Sequence, residues 1–448
     1  MGAFHAYDIR GIYNVDFDKY TAYKIGFFLP ELLKADKVLL GRDVRLSSDE
    51  IYDAVVEGVT DAGADVYDLG LSTTPMVYFA TARYGFDASI QITASHNAKE
   101  YNGMKVSRTN ALPVGFDTGL GEIKRWIEEG RQMKIEKEKG KVIKFDKRDD
   151  YLTFLNGYKE DYSNLKIGMD LSNGMATLFV KDIFGDQPLY ICDKMDGNFP
   201  NHEPNPLVEK NREDLKKLVL DNGCDVGVIY DGDADRVMFI DENGRFISPD
   251  LMIALLGHYF LEEKGEKGAV LQDIRSSKAV GEYLTPMGAE MHTWRDGRAF
   301  AAHKLRELNG VFGGELAGHY YFRDFYYSDS GILASLLILN VIAKLKNQGL
   351  SLSQQISRIE KYQNSGEINF KIESKKEAMD AVRDYFTSQE QPTASFDFDG
   401  YRVEFNDWWF NVRPSNTEPY LRFLCEASTK ELLDQKVSKT KEIINNFK

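Results

Sequence analysis

The stretch from Lys37 to Leu69, KVLLGRDVRLSSDEIYDAVVEGVTDAGADVYDL, decides the fold. It opens with KVLLG, a run typical of a buried strand, and the segment from Ser47 to Gly63 then has the apolar spacing of an amphipathic helix. Strand-like residues return at Val66. This order predicts a βαβ unit, and therefore a largely parallel sheet whose functional loops lie at the carboxyl ends of the strands.

The same alternation restarts twice farther along the chain, first after a charged segment that begins at Arg131 and again at Pro249. The final part changes character, because its strand patterns predict an antiparallel sheet with helices on one face. The predicted fold is therefore α/β with four domains: three α/β domains with mixed, mostly parallel sheets at 1–134, 135–240 and 241–353, and a C-terminal α+β domain at 354–448.

The composition excludes several classes of protein. Of the 448 residues, 43% are hydrophobic and 28% are charged, which is typical of a globular protein. The formal charge of −14 would repel a polyanion, so we expect no nucleic-acid partner. The three scattered cysteines lack a C-x-x-C pair and predict neither a disulfide framework nor a zinc site. No secretion signal or membrane-spanning stretch is recognisable, and we expect a cytoplasmic protein without a membrane partner.

A dense polar loop, TASHNAKEYNGMKV, follows the strand predicted at Ala88 to Thr93. One interpretation is an ordinary βα loop in which Ser95 caps a helix. The other is a phosphorylatable Ser95 at the carboxyl end of a strand, with Lys105 as a nearby cation. The adjacent His96 does not indicate a catalytic triad, since triad members meet in space and not along the chain.

Three carboxylates occupy alternate positions in the loop YDGDADRVMFIDE: Asp231, Asp233 and Asp235. They can converge on one hard cation. A calcium loop is one alternative, because Glu242 stands where an EF-hand places its bidentate Glu, and a purely structural acidic turn is another. Arg236 stands where the EF-hand needs Gly, and both flanks are strand-like. A Mg²⁺ ion completed by a phosphate therefore fits better.

Two later loops carry groups that suit a sugar phosphate. GGELAGHYYFRD, from Gly313 to Asp324, places a carboxylate and an imidazole between glycines and suits either sugar hydroxyls or a simple strand-end turn. RPSNTEPYLRF, from Arg413 to Phe423, supplies the donors that a phosphate dianion needs, although a plain hairpin connection is the alternative.

In order and spacing, these loops resemble the α-D-phosphohexomutase family, whose members carry a T-x-S-H-N-P phosphoserine loop, a D-G-D-x-D-R metal loop, a G-E-x-S-G-H sugar loop and an R-P-S-x-T-E-P phosphate loop. AYDIRG, which contains Arg10, and GRDVRLSS from Gly41 also match. The resemblance covers essentially the whole chain and is strongest to the bacterial phosphomannomutase/phosphoglucomutase branch.

The resemblance implies a heart-shaped, four-domain monomer, with a dimer as the alternative, that transfers a phosphoryl group reversibly between the 1- and 6-positions of mannose or glucose. The implied route uses a phosphoserine, Mg²⁺ and a hexose 1,6-bisphosphate, which also serves as activator. The implied catalytic residues are Ser95, Lys105, Arg10 and Arg236. The implied metal ligands are Ser95, Asp231, Asp233 and Asp235. The implied substrate-binding residues are Glu315, Ala317, His319, Arg298, Arg413, Ser415, Asn416, Thr417 and Arg422.

The chain departs from the family pattern at three places. Ala98 replaces Pro after S-H-N, and Ala317 replaces the Ser of the sugar loop. In DGRAFAAH, Arg298 and Ala302 replace a His and a Lys, and Arg cannot act as a base near neutral pH. Three alternatives remain: a phosphoglucosamine mutase, a sugar-phosphate-binding regulator that would not need the serine and metal loops, and a calcium-stabilised structural protein that would leave RPSNTEP unexplained.

Overall fold

A computed structural model describes residues 2–135, 137–415 and 420–447. It contains four sheets, one for each predicted domain, and confirms the predicted fold class of three mixed α/β sheets followed by an antiparallel one. Within the described ranges, no helix has both the length and the apolar character needed to cross a bilayer.

The first domain is built on a seven-stranded sheet of order β1-β5-β4-β2-β3-β7, with β6 paired to β5. Its strands are β1 Ile9–Ile12, β2 Lys37–Arg42, β3 Asp65–Leu71, β4 Ala88–Ile92, β5 Tyr101–Arg108, β6 Leu112–Pro113 and β7 Val142–Lys144. Its helices are α1 Lys19–Leu33, α2 Ser48–Asp61, α3 Thr74–Arg83 and α4 Leu120–Glu128. β2 runs parallel to β3 and β4, whereas β5 is antiparallel to β1 and β4.

Two features of this sheet differ from the simple βαβ expectation. The element after β4 is the antiparallel strand β5 and not a helix, so the interpretation of Ser95 as a helix cap is wrong. β7 lies beyond residue 134, where the second domain was predicted to begin, but it pairs with β3 of the first sheet. The chain returns after the charged segment and adds this strand to the edge of that sheet. The domain boundaries themselves stay predictions.

The second domain has a five-stranded sheet of order β12-β11-β10-β8-β9, parallel from β10 to β9 and antiparallel from β12 to β10. Its strands are β8 Ile167–Asp170, β9 Leu189–Ile191, β10 Val226–Tyr230, β11 Val237–Asp241 and β12 Phe246–Ile247. Its helices are α5 Arg148–Asn156, α6 Val180–Phe184 and α7 Glu213–Asn222.

The third domain has a sheet of order β14-β13-β15-β16-β17, in which β13 is parallel to both neighbours. Its strands are β13 Gly268–Asp273, β14 Ala289–Trp294, β15 Phe312–Gly314, β16 Tyr320–Phe322 and β17 Ser328–Asp329. Its helices are α8 Pro249–Gly257, which continues as a π-helical turn, α9 Lys278–Leu284, α10 Arg298–Leu308, α11 Gly331–Asn347 and α12 Leu352–Ile359.

The fourth domain is an antiparallel sheet of order β18-β23-β22-β21-β20, with β19 also paired to β23. Its strands are β18 Gln363–Asn364, β19 Ile368–Lys371, β20 Ala394–Phe396, β21 Tyr401–Glu404, β22 Trp408–Pro414 and β23 Tyr420–Ala427. The helices α13 Lys375–Gln389 and α14 Lys430–Asn445 contact each other and share one apolar core with the sheet.

The almost entirely buried helix α11 connects the core to the acidic loop. Ser330 caps it by accepting a hydrogen bond from the Leu333 amide (3.2 Å). The Gly331 amide donates to the Ala234 carbonyl (3.1 Å), and a Cβ at Gly331 would lie 2.5 Å from the carbonyl oxygen of Arg236. Only glycine allows the two backbones to come this close. The start of α11 therefore packs directly against the acidic loop.

Candidate active site

Ser95 lies in the loop between β4 and β5, fully buried and in the left-handed backbone region at φ 51°. Its amide donates to Thr93 Oγ1 (2.9 Å), which stabilises a conformation that a serine seldom adopts. Its hydroxyl donates to Asp231 Oδ2 at 2.7 Å. A Cβ at Gly232 would lie 2.5 Å from the Ser95 carbonyl oxygen, so a glycine there allows the serine loop and the acidic loop to touch.

The acidic loop connects the antiparallel strands β10 and β11 and buries three carboxylates whose oxygens lie within 4.8 Å of one another: Asp231, Asp233 and Asp235. Lys105 donates to Asp233 Oδ2 (2.7 Å) and to Asp235 Oδ2, and Thr74 donates to Asp233 Oδ2 (2.5 Å). Among the residues that the structure describes, Asp233 Oδ1 and Asp235 Oδ1 are buried oxygens that accept no hydrogen bond.

Burial and neighbouring charges shift the pKa values of two of these carboxyl groups in opposite directions. Burial, together with the charges of Asp233 and Asp235, raises the pKa of Asp231 well above its usual value. Burial opposes ionisation of Asp235 as well, but Lys105 and His319 outweigh it and lower the pKa of Asp235. A divalent cation would relieve the repulsion and satisfy the unpaired oxygens, so the carboxylates present fit Mg²⁺.

The calcium-loop interpretation is wrong for this loop. The flanking elements are two paired strands and not helices. Glu242 is used elsewhere, because its carboxylate accepts hydrogen bonds from the amide (3.2 Å) and the hydroxyl (2.5 Å) of Ser353. It therefore does not complete an EF-hand shell.

Two arginines stand beside the serine and acidic loops. Arg10 donates to Asn97 Oδ1 (2.8 Å) and to Asp8 Oδ2 (2.5 Å). Arg236 Nε lies 3.8 Å from Asp231 Oδ2, and its amide donates to Asp231 Oδ1 (3.2 Å). Together with Lys105 they supply three positive charges beside the serine and acidic loops, which suits the charge of a phosphoryl group.

The sugar loop is the connection between β15 and β16. Glu315 is buried, and its Oε1 accepts hydrogen bonds from the Tyr321 hydroxyl (2.8 Å) and the Gly297 amide (3.2 Å). Burial, then the charges of Asp296 and Asp273, raise the pKa of Glu315 well above its usual value. A carboxyl group held in this way can share hydrogen bonds with sugar hydroxyls.

The sugar loop is also joined directly to the acidic loop. His319 forms a β-bridge with Arg236, and its Nδ1 lies 2.6 Å from Asp329 Oδ2 and 3.8 Å from Asp235 Oδ1. The second and third domains therefore meet at the acidic loop.

Arg298 opens α10 and is held on three sides. Its Nε donates to Asp329 Oδ1 (3.1 Å), its Nη2 donates to the Ala111 carbonyl (3.2 Å), and its guanidinium carbon lies 3.6 Å from the ring centre of Tyr78. Ala302, one turn later, is fully buried. These contacts hold the positive charge of Arg298 in one place. Unlike a histidine, the arginine cannot transfer a proton near neutral pH.

The predicted phosphate loop follows β22 and precedes β23, and these two strands pair in antiparallel fashion. Arg413 is buried and lies 3.7 Å from both Asp296 Oδ2 and Glu367 Oε2. Arg422 Nη1 lies 3.2 Å from Glu367 Oε1, and the Ser415 amide donates to the Tyr420 carbonyl (2.8 Å). The predicted ligands Asn416 and Thr417 lie outside the described residues.

Many of the predicted residues meet at one cavity that residues of the first, second and third domains line. The predicted site residues that line it are Arg10, Lys105, Asp235, Arg236, Arg298, Glu315, Ala317 and His319. Asp296 lines the same cavity and faces Arg413, so the fourth domain adjoins it. Ser95 lies behind this lining, in hydrogen-bond contact with Asp231.

Arg45 was not predicted from the sequence, although it holds the serine loop in place through hydrogen bonds to four backbone carbonyls. Its buried guanidinium donates to the carbonyls of Ser95 (2.8 Å) and Asn97 (2.6 Å) through Nη2, and to those of Ala98 (2.7 Å) and Tyr101 (3.0 Å) through Nη1. The only available signal was its place in GRDVRLSS, a match that assigned no role to the arginine.

Asp296 and Arg275 were missed as well. Arg275 Nη2 donates to Asp273 Oδ2 (2.7 Å) and to Asp296 Oδ1 (2.5 Å), and the Tyr7 hydroxyl donates to the Asp296 carbonyl (3.1 Å). Arg275 lies in no recognisable motif, and Asp296 opens DGRAFAAH, a segment that assigned no role to the aspartate. Asp273 accepts a hydrogen bond from the Leu316 amide, and Asp296 faces Arg413, so Arg275 connects the sugar loop to the phosphate loop. Only the folded structure brings these groups together.

Comparison with protein families matches all four domains to one family. Models described as phosphoglucomutase/phosphomannomutase alpha/beta/alpha domains I, II and III match residues 1–134, 149–244 and 248–362, and the model of the C-terminal domain matches residues 367–442. The chain is also 36% identical over 453 aligned positions to the phosphomannomutase of Escherichia coli K12, covering 97% of this chain and 98% of the relative.

Solved structures show the same architecture. A phosphoglucomutase/phosphomannomutase family protein from Burkholderia thailandensis superposes with a TM-score of 0.88 at 26% identity, covering 99% of this chain and 97% of the other. The N-acetylphosphoglucosamine mutase of Aspergillus fumigatus, solved with GlcNAc-6P and magnesium, has a TM-score of 0.64 at 12% identity, covering 99% and 96%. At that identity the second match shows a shared fold alone.

Proposed function

The chain belongs to the phosphoglucomutase/phosphomannomutase family, and we propose that it interconverts the 1- and 6-phosphates of mannose and glucose through a phosphoserine at Ser95 and a hexose 1,6-bisphosphate. It is a phosphohexomutase, an isomerase that transfers a phosphoryl group on a hexose phosphate. The observation that supports the finer proposal is the buried Ser95 hydroxyl, which donates to Asp231 Oδ2 at 2.7 Å in the acidic loop.

Mg²⁺ would be held by carboxylate oxygens of Asp231, Asp233 and Asp235 and by an oxygen of phosphorylated Ser95. When bound, it neutralises charge on the phosphoryl group. The protein supplies the remaining compensation through Arg10, Lys105 and Arg236. Lys105 suits this role because its hydrogen bonds to two carboxylates keep its ammonium charged and close to the reacting atoms.

The proposed reaction breaks the bond between Ser95 Oγ and phosphorus while a bond forms from phosphorus to a sugar hydroxyl oxygen. Overall, the proton of that hydroxyl passes to the Ser95 oxygen, which is left as a free hydroxyl. The bisphosphate then reorients, and its other phosphoryl group returns to Ser95. A clamp on the non-reacting phosphate by Arg413, Ser415, Asn416, Thr417 and Arg422 keeps the sugar in place for either half-reaction. Glu315 and His319 would bind the sugar ring, and fixed Arg298 would contribute positive charge.

The second candidate is a phosphoglucosamine mutase, since the same loops can serve an amino sugar. A coupled assay with mannose, glucose and glucosamine 1-phosphates separates the two, with hexose 1,6-bisphosphate present as activator. We expect comparable turnover of the mannose and glucose substrates and at least about tenfold lower kcat/KM for glucosamine 1-phosphate. The reverse order would assign the protein to the amino sugar.

We expect Arg413→Ala to raise KM for every sugar phosphate alike. The clamp would hold the phosphate that does not react, so the identity of the sugar should not matter. Loss of a charge-assisted hydrogen bond costs ~1.5 to 3 kcal/mol, which corresponds to roughly 10- to 150-fold in KM. Steady-state kinetics with mannose and glucose 1-phosphates measure the effect.

Arg383→Ala is a matched control, because Arg383 lies on α13 of the same domain and forms ion pairs only with Asp380 and Asp384 among the described residues. It should leave KM unchanged. If Arg413→Ala raises KM for one sugar phosphate but not for its epimer, Arg413 recognises the sugar ring and not the phosphate.

We expect Ala317→Ser to improve kcat/KM for mannose and glucose 1-phosphates alike. Ala317 lines the cavity where the resemblance places a serine hydroxyl against ring carbons that the two sugars share. One regained hydrogen bond contributes ~0.5 to 1.5 kcal/mol, or a few-fold to roughly tenfold in kcat/KM.

Ala299→Ser is the control for this change, since Ala299 lines the same cavity from α10. It adds a hydroxyl without the proposed sugar contact and should bring no gain. A fall in activity with Ala317→Ser, or a gain confined to one epimer, would mean that the sugar contacts of the family do not apply at this position.

A further inference from the structure

A second group of potential metal ligands lies in the second domain, apart from the acidic loop. Asp170 ends β8, Cys192 follows β9, and His202 lies in the long connection to α7. One ligand atom from each side chain lies within 4.8 Å of the others, and His202 Nε2 is 2.9 Å from Asp170 Oδ2. Three segments that are distant in sequence thus bring an oxygen, a sulfur and a nitrogen together.

The hydrogen bonds around the group orient these atoms toward one another. His202 Nδ1 donates to the Glu203 carbonyl (2.8 Å) and Nε2 faces Asp170 Oδ2 (2.9 Å), so both ring nitrogens meet acceptors and a bound ion would take the place of the Nε2 proton. The second oxygen of Asp170 accepts a hydrogen bond from the Ser172 amide (2.8 Å). A histidine whose other nitrogen donates to a backbone carbonyl, beside a carboxylate that is itself hydrogen-bonded, has the outer shell typical of metal ligands.

We propose that Asp170, Cys192 and His202 bind a zinc-class divalent cation at a site separate from the acidic loop. Thiolate, imidazole and carboxylate together match the ligand preferences of Zn²⁺ and its substitute Co²⁺, and disfavour Mg²⁺. In a tetrahedral zinc site, neighbouring ligand atoms lie about 3.3 to 3.8 Å apart, so the separations of these ligand atoms need to change by about 1.5 Å at most.

A fourth ligand position and a path for the ion are both present. Cys192 lines a surface cavity together with Asn201 and Asp214. A water molecule from this cavity, or the Asp214 carboxylate, can complete the shell. An ion that binds here displaces the proton of the Cys192 thiol, because only the thiolate is a metal ligand.

This site would brace the acidic loop. Ser172 Oγ donates to the Tyr230 carbonyl (2.6 Å), and the Met175 amide donates to the Gly232 carbonyl (2.9 Å). An ion that cross-links the ends of β8 and β9 would therefore hold the segment on which the acidic loop rests. The inference does not depend on the proposed function, because none of its three ligands belongs to the phosphoryl-transfer site.

A count of cysteine pairs does not detect this site, because a single cysteine meets a histidine and an aspartate from other segments of the chain.

The test is a Co²⁺ titration of the full chain in excess Mg²⁺, which keeps the acidic loop filled. We expect thiolate-to-cobalt charge-transfer absorption that saturates at one equivalent and disappears when Zn²⁺ is added. Zn²⁺ should also raise the melting temperature.

Cys192→Ser should abolish the absorption, and Cys224→Ser should retain it, because Cys224 is buried against Leu218 elsewhere in the same domain. His202→Gln keeps the thiol and should weaken Co²⁺ binding at least tenfold, which tests the site even if Cys192→Ser folds poorly. Asp233→Asn should keep the absorption. No charge-transfer band in the wild type, or a band that survives in folded Cys192→Ser, overturns the proposal.

Discussion

Replacement of Ser95 by alanine is expected to lower kcat by at least about 10⁴-fold, because the variant has no oxygen to carry the phosphoryl group. The assay includes hexose 1,6-bisphosphate, so the loss cannot reflect enzyme that lacks its starting phosphate. The removed hydroxyl makes one hydrogen bond to Asp231 Oδ2, and the variant should keep the fold. Circular dichroism and thermal melting check that point.

The control is Ser107→Ala. Ser107 is a buried serine on β5, and its hydroxyl has no hydrogen-bond partner in the described part of the chain. The same change there removes a buried hydroxyl without touching the site, and kcat should stay within about twofold of the wild type. If Ser95→Ala retains near-normal turnover with the activator present, the phosphoserine mechanism fails.

Replacement of Asp233 by asparagine is expected to lower kcat by about 10³-fold and to remove the dependence on Mg²⁺. Asp233 contributes one of the unpaired buried oxygens and holds Lys105 at 2.7 Å, so the variant loses both an anionic ligand and the anchor of a cation. Activity measured across Mg²⁺ concentrations, with a chelator at the lower end, gives both results. Ca²⁺ should bind the same carboxylates but support little turnover.

Asp241→Asn is the matched control for the metal prediction. Asp241 is a buried carboxylate at the far end of β11, where its Oδ1 accepts hydrogen bonds from the Asn243 and Arg245 amides. An asparagine oxygen can keep those bonds, so activity and the Mg²⁺ requirement should persist. Full wild-type activity in excess chelator would refute the metal assignment.

The parts of the site that the sequence predicted are those in which several functional groups are neighbours in one short loop. Asp231, Asp233 and Asp235 alternate along a hairpin, and their spacing alone brings their oxygens together. Ser95 and Lys105 flank a second loop of the same kind. The βαβ pattern predicted β2, α2 and β3 because helix and strand periodicities are local properties.

The parts that the sequence did not predict depend on contacts between distant segments. Arg45 binds four carbonyls of a loop about fifty residues away, and nothing in its local pattern distinguishes it from a surface arginine. The approach of Gly331 to the acidic loop requires two domains to be assembled, and the pairing of Asp296 with Arg275 requires two separate segments of the third domain to meet. Local patterns carry no information on such contacts.

Ser95 is proposed to carry the phosphoryl group that reaches the sugar. The most direct test loads the enzyme with labelled phosphate, locates the label on the Ser95 peptide by mass spectrometry, and mixes this enzyme with unlabelled mannose 1-phosphate in a single turnover. We predict that the label leaves Ser95 and appears in the mannose phosphates at least as fast as kcat. Product formed while the label stays on Ser95, or label found on another residue, would contradict the account.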